Sequence, residues 1–247
     1  MLDFEALSFA GLNATRALMA KSLGQLSGKP QVAQKTLGVK GVALEKARTD
    51  NASLLDSPTM PAIERYTGVM YDAIDYKSLD ESAKTCFAES TIIMSGLFGM
   101  VRPYDMIPTY KLKMGARLRR KKACSAIWKP LISKTLKSTA ENGVIWDLLP
   151  NEHSAAWDPS AVTYDVRYTV KFLELGSDGQ MRIINHWSKL LKGALIRHIV
   201  SNPDAAGSSD SALDLLTEFS HPEGYQFDGD MTSEVDGATA IVFLKRG

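Results

Sequence analysis

No run of 18 or more apolar residues occurs in this chain, which excludes a transmembrane helix of ordinary length. The opening Met1-Leu-Asp-Phe-Glu-Ala-Leu-Ser-Phe carries acids where a secretory leader carries bases, and lacks a continuous apolar core. Only two cysteines are present, Cys86 and Cys124, without CxxC spacing, so neither a disulfide framework nor a zinc framework is indicated. These absences lead us to expect a cytoplasmic protein that does not engage membranes. The four histidines, His153, His186, His198 and His221, have no metal-ligand spacing, so no metal site is assigned and a dedicated iron site is disfavoured. Neither a Walker Lys-Ser/Thr nor a complete dinucleotide fingerprint is found, and no cofactor is implied.

Net charge is also nearly absent. With 29 Lys and Arg against 28 Asp and Glu, the formal charge is +1. Yet Lys111, Lys113, Arg117, Arg119, Arg120, Lys121 and Lys122 fall within twelve positions. A cationic patch on a neutral chain points to an anionic partner. A solvated loop with scattered lysines is the alternative. Cys124 follows this run; nearby cations would lower its pKa if it were exposed, whereas a buried thiol would be inert.

At 247 residues the chain is long enough for one large domain or two small ones, and 45% hydrophobic content is ordinary for a globular protein. We expect a single domain over residues 1–247, mainly helical over 1–75 and mixed α/β over 85–247. Leu12, Ala17, Leu18 and Leu23 have helical spacing, with Asn13 as candidate N-cap. Further helices are expected over Gln31 to Leu37, Val42 to Arg48 and Ala62 to Ala73, with a loop over Ser57 to Pro61. Thr91 to Met94 reads as a buried strand entering a turn at Ser95-Gly96. Gly143 to Leu149 reads similarly. Alternation of Val162, Tyr164, Val166, Tyr168, Val170 and Phe172 predicts a strand reaching Leu175. Arg182 to Trp187 is a further strand candidate, followed by a cationic amphipathic helix from Ser188 to Val200. A polar loop over Ala205 to Ser211, a short helix over Ala212 to Phe219 and a strand over Ala238 to Lys245 complete the chain. The fold class is α/β, a mixed sheet flanked by helices.

Leu37-Gly38-Val39-Lys40-Gly41 between two short helices resembles a helix-hairpin-helix. Its glycines and the following helix N-terminus would suit a phosphate, with Lys40 adding an ion pair. Such a site grips the backbone without reading bases; an ordinary interhelical turn with Gly38 as C-cap is the alternative. Ser95, Gly96 and Gly99 form a glycine turn after a strand, a frequent ligand position, or else a point where backbones pack closely. Arg102 could bind a phosphate or carboxylate, or pin a loop. Asp105, Glu152 and Tyr110 are the candidate catalytic groups. Lys189, Lys192 and Arg197 lie near one helical face and could extend the basic surface.

The run Met94-Ser-Gly-Leu-Phe-Gly-Met-Val-Arg-Pro-Tyr-Asp-Met-Ile-Pro-Thr-Tyr-Lys-Leu-Lys-Met-Gly115 resembles the signature of the YaaA family of bacterial peroxide-stress proteins. Tyr66-Thr-Gly-Val-Met-Tyr71, Trp128, Asn151-Glu152-His153, the Lys189–Arg197 helix and Glu223-Gly-Tyr-Gln-Phe-Asp228 are similar to later family segments, so the likeness spans roughly residues 60–247. The family's usual opening, an apolar strand and a Ser/Pro-Pro-x-x-Thr-Lys-like loop, has no counterpart in Met1-Leu-Asp-Phe; losing that strand would expose a sheet edge. The resemblance implies a YaaA-like α/β fold with a basic cleft. It also implies DNA binding helped by a helix-hairpin-helix, and a role in limiting oxidative DNA damage and free iron.

Two functions follow. The first is a DNA-binding protein of the oxidative stress response, contacting the phosphates of duplex or distorted DNA. Its contacts would be Lys40, Arg102, Lys111, Lys113, Arg117, Arg119, Arg120, Lys189, Lys192 and Arg197. The second is an enzyme acting on a nucleobase, nucleotide or other small anionic ligand. Arg102 would anchor, Asp105 or Glu152 would serve as acid or base, and Tyr110 would orient, above a floor of Ser95, Gly96 and Gly99. Oligomeric state is not legible.

Overall fold

The computed structural model describes residues 1–118, 122–184 and 187–246. Helices α1 (Asn13–Ser27), α2 (Pro30–Leu37) and α3 (Gly41–Ala52) come first. Strand β1 (Thr59–Pro61), α4 (Ala62–Arg65), α5 (Val69–Ile74) and α6 (Glu81–Ser90) follow. Next are β2 (Ile93–Ser95), β3 (Gly99–Val101), β4 (Met106–Pro108), α7 (Cys124–Thr139), β5 (Val144–Asp147) and α8 (Asn151–Ser154). The remainder is β6 (Val166–Leu175), β7 (Met181–Ile183), α9 (Ser188–Val200), α10 (Pro203–Ala206), α11 (Ala212–Thr217), β8 (Gln226–Phe227), β9 (Ser233–Val235) and β10 (Ala238–Arg246). The mixed α/β class is as expected. The chain divides into two compact units, one of residues 1–66, 90–137 and 149–161, the other of 67–89, 138–148 and 162–247.

The first unit is helical with short antiparallel pairs. α1 and α3 pack together, and Leu12, Met19, Leu23, Ala33 and Leu37 are buried. β1 pairs with β4, and β2 with β3. Strand β1 lies where a loop was expected, because Met60 finds a partner in Ile107 that no local pattern announces. Asn13 is not the N-cap of α1. A 3-10 turn over Ala10–Leu12 leads directly into the helix, and the Asn13 side chain instead accepts from Arg16 Nη1 at 2.8 Å. The helix expected over Ala62 to Ala73 breaks at Tyr66-Thr67-Gly68, where Gly68 has φ 117°, outside helical space.

The second unit is a twisted mixed sheet with helices. Strands run in the order β5-β6-β10-β8, with β7 also on β6 and β9 also on β10. β5, β6 and β10 are mutually parallel, and the other pairings are antiparallel. β10 is buried over nearly its whole length and reads as a continuous small and apolar run, as a central parallel strand does. Tyr168, Phe172, Ile241 and Phe243 meet Leu191, Leu195, Leu216, Phe219 and Tyr225 in one core. Phe172 stacks on Phe243 with centroids 5.4 Å apart, and Tyr225 meets Phe172 edge-on. The strand expected from Val162 begins only at Val166, after a 3-10 turn over residues 159–161, and its burial does not alternate strictly, since Arg167 is buried beside Tyr168. The loop expected over Ala205 to Ser211 begins with the last two residues of α10.

Candidate functional site

The Met94–Gly115 run lies in the first unit and is held by hydrogen bonds from several elements. Ser95, 2% exposed, accepts at Oγ from the N–H groups of Leu97 (3.2 Å) and Phe98 (2.9 Å). Its Oγ also lies 2.8 Å from the Tyr110 hydroxyl, within hydrogen-bond distance. Tyr110 in turn lies 2.7 Å from the Tyr66 hydroxyl. The result is a chain of three hydroxyls, Ser95, Tyr110 and Tyr66, at hydrogen-bond distances. Burial of the Tyr66 hydroxyl, with the Tyr110 hydroxyl beside it, raises its pKa well above the usual phenol value, while the Ser95 hydroxyl opposes weakly.

The two signature glycines answer to backbone approach. A Cβ at Gly96 would meet the Leu112 and Lys113 main chain at 2.8 Å. One at Gly99, where φ is 76°, would strike the Trp128 ring at 2.8 Å. Trp128, fully buried, donates from Nε1 to the Gly96 carbonyl at 3.0 Å. Ser95, Gly96 and Gly99 are therefore buried together under the chain that follows them.

Asp105 and Arg102 both bind the main chain. Asp105 accepts from the Arg102 N–H (2.9 Å), the Ser8 N–H (3.0 Å) and the Ser8 hydroxyl (2.8 Å). Arg102 donates to the Thr91 carbonyl at 3.1 Å and lies over the Phe9 ring. Both residues tie separate chain segments together. Glu152 accepts from the Gly115 N–H at 2.7 Å, closing the end of the same run onto α8.

From residue 111 the chain alternates. Lys111, Lys113, Gly115 and Arg117 are exposed, while Leu112, Met114 and Ala116 are buried. The first three basic residues of the run are thus exposed in turn along one short stretch of chain, with a turn at Met114-Gly115 between Lys113 and Arg117. The α2–α3 turn joins them, since a Cβ at Gly38 would stand 3.6 Å from Lys113 Nζ. Asn51 of α3, fully buried, exchanges two hydrogen bonds with the Lys111 main chain, at 2.9 and 3.1 Å. Lys40 is exposed at the N-terminus of α3. Among the described residues, no carboxylate forms an ion pair with Lys40, Lys111 or Lys113. Arg119 and Arg120 lie outside the described residues, as does His186.

Lys189, Lys192 and Arg197 belong to α9 in the second unit. Lys189 is exposed. Lys192 donates to the Leu148 carbonyl at 3.0 Å, and Arg197 donates to the Ile74 and Asp75 carbonyls at 3.0 Å each, closing the C-terminus of α5. Cys124 is fully buried, and burial, with Glu152 adding to it, pushes the thiol up to about 12. It is an inert thiol rather than a sensitised one. His153 is held below its usual pKa by burial.

Arg16 gave no signal in the sequence. It is fully buried, donating to the carbonyls of Phe98 (3.0 Å) and Met100 (2.6 Å). Burial lowers its pKa to about 10, with Asp105 opposing. Arg65 was also missed; it donates to Thr109 Oγ1 at 2.7 Å and to the Ile107 carbonyl at 3.3 Å. Both sit in helices whose arginines look like surface residues, and only the hairpins they grip reveal otherwise.

The family of peroxide stress protein YaaA matches residues 5–231 of this chain. The chain belongs to that family. Among relatives, a UPF0246 protein of Streptomyces coelicolor is 33% identical over 227 residues, covering 91% of this chain and 84% of the relative. A UPF0246 protein of Corynebacterium efficiens is 33% identical over 222 residues, covering 87% and 83%. The YaaA-family match encloses the whole Met94–Gly115 run and the α2–α3 turn. No helix among the described residues is long and apolar enough to cross a membrane.

Proposed function

We propose that this YaaA-family protein binds duplex or distorted DNA through its phosphates, using the basic surface of the first unit. The observation carrying this reading is the exposure of Lys111, Lys113 and Arg117 along one stretch of chain, with the α2–α3 turn against Lys113 and Lys40 exposed in that turn. Lys40, Lys111 and Lys113, which form no ion pair with a carboxylate among the described residues, keep their charge available to an external anion. Contacts of this kind grip the backbone and carry no base preference. The α2–α3 turn then acts as a helix-hairpin-helix, and the surface as the wall of a basic cleft. Occupied DNA is shielded from oxidants under peroxide stress, in keeping with a role in limiting oxidative damage and free iron.

Fluorescence anisotropy on a labelled duplex tests this. The log–log salt slope should be about −0.9 per phosphate contacted, and Lys111→Ala with Lys113→Ala should make it shallower by about 2. An affinity independent of salt, or a slope unchanged in the double variant, overturns the reading.

A second reading is favoured by the Ser95–Tyr110–Tyr66 hydroxyl chain, which provides a proton path of the sort an enzyme on a nucleobase, nucleotide or other small anion would use. Tyr110→Phe would then abolish turnover and leave DNA affinity unchanged.

A further inference from the structure

The exposed side of α7 borders a cavity of about 550 Å³. Lys129, Pro130, Ser133, Lys134 and Lys137 of the helix form one wall, and Asp158 and Ala161 form the other. At about 100° per residue, the five helical positions fall within about 140° of one face. Trp128, Ile132 and Leu136 occupy the opposite face and are buried. All the lining residues belong to the first unit.

The two walls are fastened to each other. Ser133 is buried, donates from Oγ to the Lys129 carbonyl at 2.7 Å and accepts from the Asp158 N–H at 2.8 Å. One hydroxyl therefore ties the helix to the facing segment. Asp158 in turn accepts from the Ser160 N–H at 3.2 Å and the Ser160 hydroxyl at 2.7 Å, at the head of the 3-10 turn that carries Ala161. Lys129 Nζ lies 3.2 Å from the Asp158 carboxylate and closes the same span.

Charge in the cavity is unbalanced. Three lysines line it against a single carboxylate, and Lys129 already takes that carboxylate. Lys134 and Lys137 are exposed and form no ion pair with a carboxylate among the described residues. Three positions apart on one helix, they are neighbours of like charge, an arrangement that costs stability and that a bound anion relieves. The rest of the lining is apolar in character: the Pro130 ring, the Ala161 methyl and the lysine stems.

We infer that this cavity binds a small phosphate monoester whose organic part is apolar. A monoester carries close to two negative charges at neutral pH, which matches the two unpaired ammonium groups. Its oxygens accept from Lys134 and Lys137, and its organic group rests on Pro130 and Ala161. The cavity is of the size that small-molecule sites have, about 300–1,000 Å³. It shares no residue with the basic stretch from Lys111 to Arg117, and the inference does not rest on the DNA-binding reading.

Titration of the nitrogen-labelled full chain, followed by amide chemical shifts, tests the inference with phenyl phosphate, inorganic phosphate and benzyl alcohol as probes. Phenyl phosphate should bind saturably, with the shifts centred on Lys129 to Lys137 and on Asp158 to Ala161. Inorganic phosphate should bind more weakly, for want of the apolar contact, and benzyl alcohol should not bind, for want of charge. Lys134→Gln with Lys137→Gln should weaken phenyl phosphate about tenfold and leave affinity for intact duplex as it was. No saturable binding, shifts centred elsewhere, phenyl phosphate no tighter than inorganic phosphate, or an affinity unchanged in the double variant overturns the inference, whatever the affinity for DNA.

Discussion

The two units solve the problem of a stable core in different ways. In the second, a regular parallel sheet carries an aromatic and aliphatic core, with Phe172, Phe243 and Tyr225 in ring contact. In the first, the strands are only three residues long, and polar side chains fasten them. Arg16, Asn51, Asp105 and Trp128 each donate to or accept from main-chain groups of the Gly96–Lys111 stretch. Apolar packing tolerates exchange of similar shapes, whereas a buried hydrogen-bonded group has few substitutes. The first unit is accordingly the more specified of the two, and its signature residues are fixings as much as ligand contacts.

Substitutions can break that comparison. Trp128→Ala removes a fully buried ring and its bond to Gly96, and is expected to cost about 3–5 kcal/mol in urea unfolding. Asp105→Ala leaves two main-chain N–H groups and a hydroxyl without their acceptor and takes away the carboxylate nearest Arg16, for a loss of about 2–3 kcal/mol by the same measurement. Phe172→Leu, an apolar exchange in the second unit, should cost less than about 1.5 kcal/mol. A Phe172→Leu loss equal to that of Asp105→Ala would remove the distinction.

The alkaline limb sharpens it. Cys124 has its folded pKa raised from 9.0 to about 12, so its contribution is fully present below pH 9 and is lost as pH rises through about 12. Over that window the unfolded thiol ionises while the folded one stays protonated, and stability falls. Cys124→Ala should flatten the melting temperature against pH between pH 9 and 12, shrinking the drop relative to the unsubstituted chain. An unchanged slope would show that the thiol is exposed and that this end of α7 is not packed as described.

The same contrast explains what could be read in advance. β6, β10 and α9 announce themselves through periodicity and apolar runs, since their side chains answer to one sheet. α7 and α6 were not anticipated, although Asp80, which accepts from the Ala83 N–H at 2.8 Å, is a capping signal that was available. In the first unit, the Met94–Gly115 run was visible as a motif, but its meaning was not. Asp105 and Glu152 looked like acid–base candidates and prove to accept main-chain N–H groups. Lys192 and Arg197 looked like members of a basic helical face and prove to donate to carbonyls of β5's end and of α5.

By itself the sequence determined the α/β class, the family and the clustering of basic residues from Lys111, because periodicity and motif are local properties. Only the tertiary structure decided which polar groups are spent inside. Arg16 and Asn51 are ordinary helical residues until hairpins 60 to 80 or more positions away bring carbonyls to them. Lys192 is one lysine among many until the Leu148 carbonyl meets it. A hydrogen bond between distant segments has no sequence period, and the chemistry of these side chains is set by such partners.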